Sequence, residues 1–300
     1  MSRTNHFGHR LFAMGVAVTV AVGLAGCGGP TREPAPAAAA TPAAAPASST
    51  RPAVPPPGAA VWHYEGAEGP ANWGTLSPAF AACAEGRRQS PIDISNAARG
   101  VTADLRTSFA PAELRIAHHA HVADGINNGH TIQINYAGAD TLTLGTTSYQ
   151  LAQYHFHSPS EHTVDGKHFP MEMHLVHKSA DGKLAVVAAF IGEGAHNKAF
   201  DQVWANLPAQ KGVETHFPAV SVDVDALLPP ARTSYRYDGS LTTPPCSEGV
   251  SWIIMTTPIQ LSSEQVGAFT RLIKDNNRPV QPLNGRTILT DDVSMVSGGT

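Results

Sequence analysis

The sequence contains no cluster of basic residues. Its 20 lysines and arginines are scattered along 300 residues and are outnumbered by 24 acidic residues, which gives a formal net charge of -4. Proteins that bind nucleic acids carry a basic patch that neutralises phosphates. Without such a patch, nucleic acid is not an expected partner, and a small or neutral ligand is favoured.

Long hydrophobic runs are also missing, apart from one near the amino terminus. This run covers residues 11–24 and is too short for a membrane span, which needs about 20 apolar residues. Arg3 and Arg10 precede it, and small residues lead to Cys27, as in an export signal. The stretch LAGC resembles the lipobox of bacterial lipoproteins, so we expect residues 1–27 to be a lipoprotein signal and Cys27 to carry lipid. An ordinary cleaved signal or an uncleaved anchor is the alternative.

Aromatic residues are absent from residues 28–60, where alanine and proline predominate. Such a composition cannot bury enough surface to fold, and it predicts an extended, disordered tether. From residue 61 to residue 297, aromatic residues and hydrophobic alternation persist without a second linker or an internal repeat. These residues, 61–297, are therefore predicted to form one domain of catalytic size.

Short stretches of alternating or continuous apolar residues dominate this domain, and helical periodicity is rare. Strands are predicted at residues 131–136, 141–145, 151–157, 171–177 and 184–191. Helices are predicted only at 198–207 and 262–275, and Ser262 or Ser263 could cap the second. The expected fold is mainly β (α+β), a single domain in which small helices lie at the edge of a sheet.

Two histidine motifs indicate chemistry. Side chains alternate between the two faces of a strand, so Gln153, His155 and His157 in QYHFH share one face. Glu172 and His174 in MEMHLVH share a face in the same way. If these strands are neighbours, three histidines converge, and three neutral imidazoles with one open position are typical of catalytic zinc. Gln153 and Glu172 are suited to orient the imidazoles.

Histidines in such a pattern also have ordinary roles. His-X-His alone is more often a pair of solvent-facing strand residues, with the third histidine a hydrogen-bonded core residue. The motif H-E-x-x-H on a helix, which marks many zinc proteases, is absent from the sequence. The conjunction of His-X-His with EMH and with SLTTPPC downstream favours a metal site.

Five segments resemble the α-class carbonic anhydrases, and the resemblance extends from about Trp62 to the carboxyl terminus. The segments are QSPIDI (89–94), NNGH (127–130), QYHFHSPSEHTVDGKHFPMEMHLVH (153–177), GSLTTPPCSEGVSW (239–252) and NNRPVQPLNGR (276–286). The resemblance implies a single domain with a large twisted mixed β-sheet and small peripheral helices. It also implies the zinc-dependent, reversible hydration of carbon dioxide to bicarbonate and a proton, by attack of zinc-bound hydroxide with a histidine as proton shuttle.

The resemblance assigns roles at the metal to five residues. His155, His157 and His174 match the family's zinc ligands. Gln153 and Glu172 match the residues that hydrogen-bond to these ligands and orient them.

Further roles follow from the same resemblance. Thr242 matches the threonine that orients the nucleophile, Glu161 the buried acid behind it, and His130 the proton shuttle. Residues matching those that order the waters of the proton path are Tyr64, Asn128 and Gln133. Residues matching the apolar wall of the carbon dioxide pocket are Val176, Val186, Leu241, Val250 and Trp252. Strict alternation does not group His130 with Gln133, so placing both at one cavity requires a bulge near Thr131.

Two cysteines indicate in which cellular compartment the protein is located. Cys83 and Cys246 match the disulfide cysteines of bacterial family members, which suits an exported, oxidising location. Closing so long a loop would stabilise the fold by roughly 5 kcal/mol on chain-entropy arithmetic. With lipid on Cys27, we expect a periplasmic or cell-envelope enzyme attached to a bacterial membrane through lipid only, the outer membrane if the cell is Gram-negative. A homodimer is left open.

Two rival functions stay open from the sequence. A non-catalytic binding protein with this fold would be marked by loss of a zinc histidine, and all three are present. A zinc buffer of the cell envelope would not require Thr242, Glu161 and His130 together. The remaining histidines, including His162 and His177, are expected to be structural or at the surface.

Overall fold

A twelve-stranded β-sheet dominates the computed structural model of the chain, which describes residues 60–99, 105–108, 112–117, 130–136, 138–208, 211–212 and 214–291. Several expectations lie outside the described residues. They concern the export signal with Cys27, the tether up to residue 59, Asn128, and the end of the predicted domain after residue 291. These expectations stay predictions.

Strands far outnumber helices in the described part of the chain. In chain order the strands are β1 (Asp93–Ile94), β2 (Ala98–Arg99), β3 (Leu105–Ser108), β4 (Ala112–Ala117), β5 (Gln133–Asn135), β6 (Thr141–Leu144), β7 (Thr147–His157), β8 (Thr163–Val164), β9 (Met171–Ser179), β10 (Leu184–Glu193), β11 (Glu214–Val222), β12 (Ser234–Ser240), β13 (Glu248–Leu261) and β14 (Leu289–Asp291). The α-helices are α1 (Trp73–Leu76), α2 (Ala82–Glu85), α3 (Asp201–Trp204) and α4 (Ser263–Thr270), and 3-10 turns lie at Gly66–Glu68, Pro78–Phe80, Lys198–Phe200 and Asp225–Leu227. The predicted mainly β class is confirmed.

The sheet is mixed, and its longest strands lie side by side at its centre. Its order is β11-β4-β5-β7-β9-β10-β13-β12-β14-β2, while β6 pairs with β7 and with β3 outside this path. β10 and β13 are parallel, as are β14 and β2, and the other pairs of this sheet are antiparallel. β1 and β8 form a separate parallel pair.

The two faces of the sheet carry different side chains. Tyr154 and Phe156 of β7 belong to a large apolar cluster that also contains Met173 and Leu175 of β9. By alternation, His155 of β7 belongs to the opposite face, where a smaller apolar cluster lies over β10 and β13. The large cluster fixes the register, because a slip by one residue would exchange the apolar and polar faces of every strand.

The five predicted strands all occur, although their ends differ. The strand predicted at 131–136 is confined to β5, which begins at Gln133. His130 therefore precedes the strand, and alternation along β5 does not relate its side chain to that of Gln133. The bulge expected near Thr131 is not needed, because the two residues are not in one continuous strand.

Both predicted helices exist but are shorter than their apolar periodicity suggests. The first is divided into a 3-10 turn (Lys198–Phe200) and α3. The second is α4, which Ser262 caps: its hydroxyl accepts from the N–H of Gln265, and the Gln265 side chain accepts from the N–H of Ser262. After α4 the N–H of Leu272 bonds to the carbonyl of Phe269, a tighter turn that ends the helix. Among the described residues, no helix has the length and apolar character to cross a membrane.

A third apolar cluster joins the first residues of the domain to the loop after β12. It contains Trp62, Trp73, Phe80 and Cys246. Cys83 and Cys246 form a disulfide with Cα atoms 5.0 Å apart, as the family resemblance implies. The bridge connects positions separated by 163 residues, so it attaches the start of the domain to a loop near the end of the sheet.

His177 of β9 is fully buried on the face of the large apolar cluster. Its Nδ1 donates to the carbonyl of Leu175 at 2.9 Å. Burial lowers the pKa of His177 to about 4, although hydrogen bonds with the main chain of Leu175 and Ala185 act in the opposite direction. His177 is therefore neutral in the folded protein at neutral pH.

We expect acid to destabilise the fold through His177. Because its folded-state pKa lies below the unfolded value of 6.5, the unfolded chain binds more protons between these values. The stability contributed by the neutral ring is fully present above about pH 6.5 and is lost as the pH falls toward about 4. A shift of this size corresponds to about 2 to 3 kcal/mol near pH 4.5.

Urea unfolding of the wild type and of His177→Leu, at about pH 7.5 and pH 4.5, measures this contribution. His177→Leu should show the smaller loss of stability on acidification. His196→Leu changes an exposed histidine and is the matched control, with the acid dependence of the wild type. Equal losses for the wild type and His177→Leu would contradict the assignment.

Candidate metal centre and active site

Three histidines converge on neighbouring strands near the centre of the sheet. In the strand register, His155 of β7 lies opposite Gln133 of β5 on one side and His174 of β9 on the other. His157 follows two residues later on β7 and shares this face. The nitrogens that these histidines can offer as ligands all lie within 4.8 Å of one another, and the three side chains are buried. This triad, His155, His157 and His174, can hold a metal ion.

The two rings on β7 are each fixed by a hydrogen bond at Nδ1. Nδ1 of His155 lies 2.7 Å from Oε1 of Gln153, and Nδ1 of His157 lies 2.6 Å from the main-chain oxygen of Asn276. Because these oxygens only accept hydrogen bonds, Nδ1 carries the proton in both rings. Nε2 is therefore the atom that each of these two histidines offers to a metal.

The buried carboxylate of Glu172 orients the third ring. It accepts hydrogen bonds from Nε2 of His174 at 2.9 Å, from Nδ1 of His162 at 2.7 Å, and from the main-chain N–H of His162 at 2.8 Å. Burial alone would raise the pKa of Glu172, but its electrostatic interactions and hydrogen bonds with His162 and His174 outweigh burial and hold the pKa well below its usual value. Glu172 is thus ionised at neutral pH, and Nδ1 is the atom that His174 offers to a metal.

Burial favours the neutral form of two histidines of the triad, His157 and His174. Burial lowers the pKa of His157 to about 4, although the hydrogen bond to Asn276 acts in the opposite direction. Burial also lowers the pKa of His174, against the raising effect of Glu172. Metals bind the neutral imidazole. In ligand number, ligand type and protonation, the residues present fit a catalytic zinc ion.

Glu161 is a second buried carboxyl group beside the triad. Its Oε1 accepts from the main-chain N–H of Arg278 at 3.0 Å, and its Oε2 lies 3.4 Å from Nε2 of His157 and 3.9 Å from Nδ1 of His174. Burial raises the pKa of Glu161 to about 7, against the lowering effects of His174, Arg278 and a hydrogen bond with Thr242. A cation held by the triad would favour the ionised form of this group.

A buried arginine supports the loop that carries Glu161. The side chain of Arg278 is 1% exposed. It donates to Oε1 of Gln89 at 2.8 Å and to the main-chain oxygens of Ser90 and Cys83 at 2.7 and 2.9 Å. Through the main-chain N–H and the side chain of this one residue, the loop that carries Glu161 is connected to the segment that forms the disulfide.

The five residues predicted for the substrate pocket lie together on the face of the triad. They belong to the smaller apolar cluster or pack against it: Val176, Val186, Leu241, Val250 and Trp252. Val176, Val186 and Trp252 are direct neighbours across β9, β10 and β13. The ring centroid of Trp252 lies 4.9 Å from that of His174, so an apolar surface adjoins the triad.

The residues predicted for the proton path are divided between two places. The His130 side chain is 5% exposed, its ring centroid lies 3.3 Å from that of Trp62, and its Nε2 donates to the Trp62 main-chain oxygen at 2.7 Å. The Tyr64 ring lies 5.6 Å from the His130 ring. Gln133 instead lies beside His155 on β5.

Sequence reasoning missed three buried residues that support the site, namely His162, Asn276 and Arg278. His162 connects Glu172 to Tyr237, whose hydroxyl lies 2.6 Å from Nε2 of His162. All three lie in loops, where no periodicity marks a side chain that turns inward. The only signal was their position inside the segments that carry the family resemblance.

Comparison with known proteins places most of this chain in one family. The sequence profile of the family described as eukaryotic-type carbonic anhydrase matches residues 68–292. The carbonic anhydrase of Klebsiella pneumoniae is 46% identical over 235 residues, which cover 76% of this chain and 90% of that protein. The carbonic anhydrase of Pectobacterium atrosepticum is 42% identical over 229 residues, with the same two coverages.

A solved structure shows a similar fold. It is the α-carbonic anhydrase of Thermovibrio ammonificans in complex with the inhibitor sulfanilamide, which matches with a TM-score of 0.72 and 41% sequence identity. The match covers 77% of this chain and 100% of that one. The likeness therefore includes the whole of that protein.

Replacing Glu172 by glutamine should weaken metal binding by roughly 10- to 100-fold, the usual effect of changing a residue that orients a metal ligand. The amide carries no charge and cannot accept from three N–H groups as the carboxylate does. The measurement is a zinc titration of the protein in competition with a chromophoric chelator.

The control for this substitution is Glu264→Gln, which changes an exposed glutamate of α4 in the same way. Its zinc affinity should equal that of the wild type. A Glu172→Gln protein with unaltered zinc affinity would show that the carboxylate does not support the metal site.

Proposed function

The chain belongs to the α-carbonic anhydrase family, enzymes that hydrate carbon dioxide reversibly to bicarbonate and a proton, and from this membership we propose that its reaction depends on a zinc ion held by His155, His157 and His174. The observation that carries the proposal is the triad itself, three buried imidazoles with ligand nitrogens within 4.8 Å. When bound there, zinc would supply a water acidic enough to ionise near neutral pH.

Thr242 and Glu161 are proposed to orient the attacking oxygen. An ionised carboxyl group only accepts, so in the hydrogen bond between them the Thr242 hydroxyl donates and Glu161 accepts. The Thr242 oxygen can then only accept a hydrogen bond from a species that approaches it. This restriction selects one direction for the attacking O–H group.

The apolar wall beside the triad suits carbon dioxide. The substrate is uncharged and non-polar, and the wall of Val176, Val186, Val250 and Trp252 is almost fully apolar except for the Trp252 N–H. That N–H donates to the main-chain oxygen of Ser240 at 3.0 Å and is not needed by a ligand. The pocket can therefore exclude water from the carbon atom without offering it a competing polar group.

His130 is proposed to receive the proton released in each turnover. Imidazole is the side chain that changes charge between about pH 5 and pH 8. Asn276 connects this residue to the triad: its side-chain amide donates to the main-chain oxygen of His130 at 3.0 Å, and its main-chain oxygen accepts from Nδ1 of His157. The two histidines are thus attached to the same loop residue.

Two variants separate metal binding from orientation of the nucleophile. His174→Ala should lose zinc and carbon dioxide hydration together, because it removes a ligand. Thr242→Ala should keep stoichiometric zinc and lose roughly 10²-fold in hydration rate, as when one positioned hydrogen-bonding group is removed from a transition-state site. The readouts are metal analysis and stopped-flow hydration of carbon dioxide, with a zinc chelator abolishing and added zinc restoring the wild-type rate.

Full activity and full zinc content in His174→Ala would remove this histidine from the ligand set. A Thr242→Ala rate equal to that of the wild type would remove the orienting role and leave the metal site intact. A wild-type protein that binds zinc without hydrating carbon dioxide would favour the zinc-buffer alternative.

The location of the enzyme is part of the proposal. A basic start, a short apolar run, LAGC and an Ala/Pro-rich segment support an exported protein anchored through lipid on Cys27, in the periplasm or cell envelope. Stable anchoring takes more than one acyl chain, as bacterial lipoproteins carry. Mass spectrometry of the amino-terminal peptide should show an acylated Cys27. An unmodified Cys27, or a Cys27→Ser protein that still fractionates with membranes, would contradict this part.

A further inference from the structure

The proposed proton acceptor is itself shielded from solvent. The His130 side chain is only 5% exposed, its ring packs against Trp62, and Nε2 is bonded to the Trp62 carbonyl. A proton that reaches this ring must leave before the next turnover, and buffer molecules have little access to it. A further group must therefore carry the proton outward if turnover is to be fast.

His130 lines a cavity of about 290 Å³. The described residues around this cavity are mostly polar or charged: His63, Tyr64, Glu65, His130, Lys211, Leu272, Ile273, Lys274, Asp275 and Asn276. A cavity of this size and polarity can hold several waters. It offers a hydrated passage beside a buried imidazole.

His63 is the exposed imidazole of this cavity. Its ring centroid lies 5.9 Å from that of His130, with the two rings nearly perpendicular. Two hydrogen bonds through one water span about 5.6 Å between ring nitrogens, a distance of the same order as this centroid separation. The main chain of His63 is held in place, since its N–H donates to the Glu68 carbonyl at 2.9 Å and its carbonyl accepts from the Trp73 indole at 2.8 Å.

We propose that His63 is a second proton-transfer residue, which takes the proton from His130 through cavity water and delivers it to buffer. The proposal rests on the shuttle role proposed for His130. In the step, an imidazolium at His130 gives one proton to a bridging water as that water gives one to neutral His63. His130 returns to its neutral form, and no other bond changes.

The other charged groups around the cavity are unsuited to this transfer. They are carboxylates and ammonium groups, side-chain types whose ordinary pKa values lie far from neutral pH. Burial and the charge of Glu161 raise the pKa of Tyr64 well above its usual value. Imidazole alone among these side-chain types exchanges protons near pH 7.

The test compares His63→Ala, His130→Ala and the double variant in stopped-flow hydration of carbon dioxide, on the zinc-loaded full chain. In weak buffer, His63→Ala should lower kcat by roughly 3- to 10-fold, less than the 10² or more of a positioned acid or base because cavity water replaces it in part. kcat/KM should stay at the wild-type value, and concentrated imidazole buffer should restore kcat. Because the two residues act in series, the double variant should be no slower than His130→Ala.

The matched control is His196→Ala, which removes an exposed histidine paired with Asp201 and should leave every constant unchanged. If His130→Ala is slow but His63→Ala turns over like the wild type, the relay is wrong and the shuttle role of His130 stands. If neither variant is slower in weak buffer, both roles are wrong. A fall in kcat/KM for His63→Ala would show that it acts on the structure of the site, and this also overturns the relay.

Discussion

The ionised carboxylate of Glu172, buried beneath the triad, is the interaction on which the site depends. An isolated buried charge is very costly, and it persists here because three N–H groups of two histidines point at it. The same bonds decide which nitrogen of His174 carries the proton, and hence which one faces the other two histidines. Removing one of these donors would leave part of the buried charge without compensation, so the loop at His162 and the strand β9 are constrained together.

A second constraint brings distant parts of the chain to the other carboxyl group. Glu161, Thr242 and Arg278 are each more than 35 positions apart in sequence, yet one hydrogen-bonded group contains all three. Arg278 extends this group to the main chain of Cys83, and the disulfide returns from Cys83 to the loop that follows Thr242. The position of the Thr242 hydroxyl therefore depends on several loops that are joined by hydrogen bonds and the disulfide, and not on a single helix or strand.

The predictable part of the site is the part built on strands. Period-two alternation is a property of an extended chain, so the shared face of Gln153, His155 and His157 follows from the sequence alone. The adjacency of β7 and β9, which brings His174 beside them, is a tertiary contact that the sequence permits but does not require. The supporting loop residues, His162 and Asn276, act through hydrogen bonds between segments, and no local pattern encodes these. The predicted helix lengths are wrong for a related reason: in the sequence the apolar periodicity continues past the point where a turn ends α4.

The close contact between the tilted rings of Trp62 and His130 has a consequence for how such an enzyme could change in evolution. The triad is built by β7 and β9, whereas the aromatic rings that lie against the buried His130 ring, those of Trp62, His63 and Tyr64, come from the first few residues of the domain. With the roles proposed for His130 and His63, substitutions where the chain enters the domain would alter how quickly protons leave, while the triad and the apolar wall keep their places. On these proposed roles, chemistry at the metal and proton exchange with the medium depend on separate parts of the chain and could change independently in evolution.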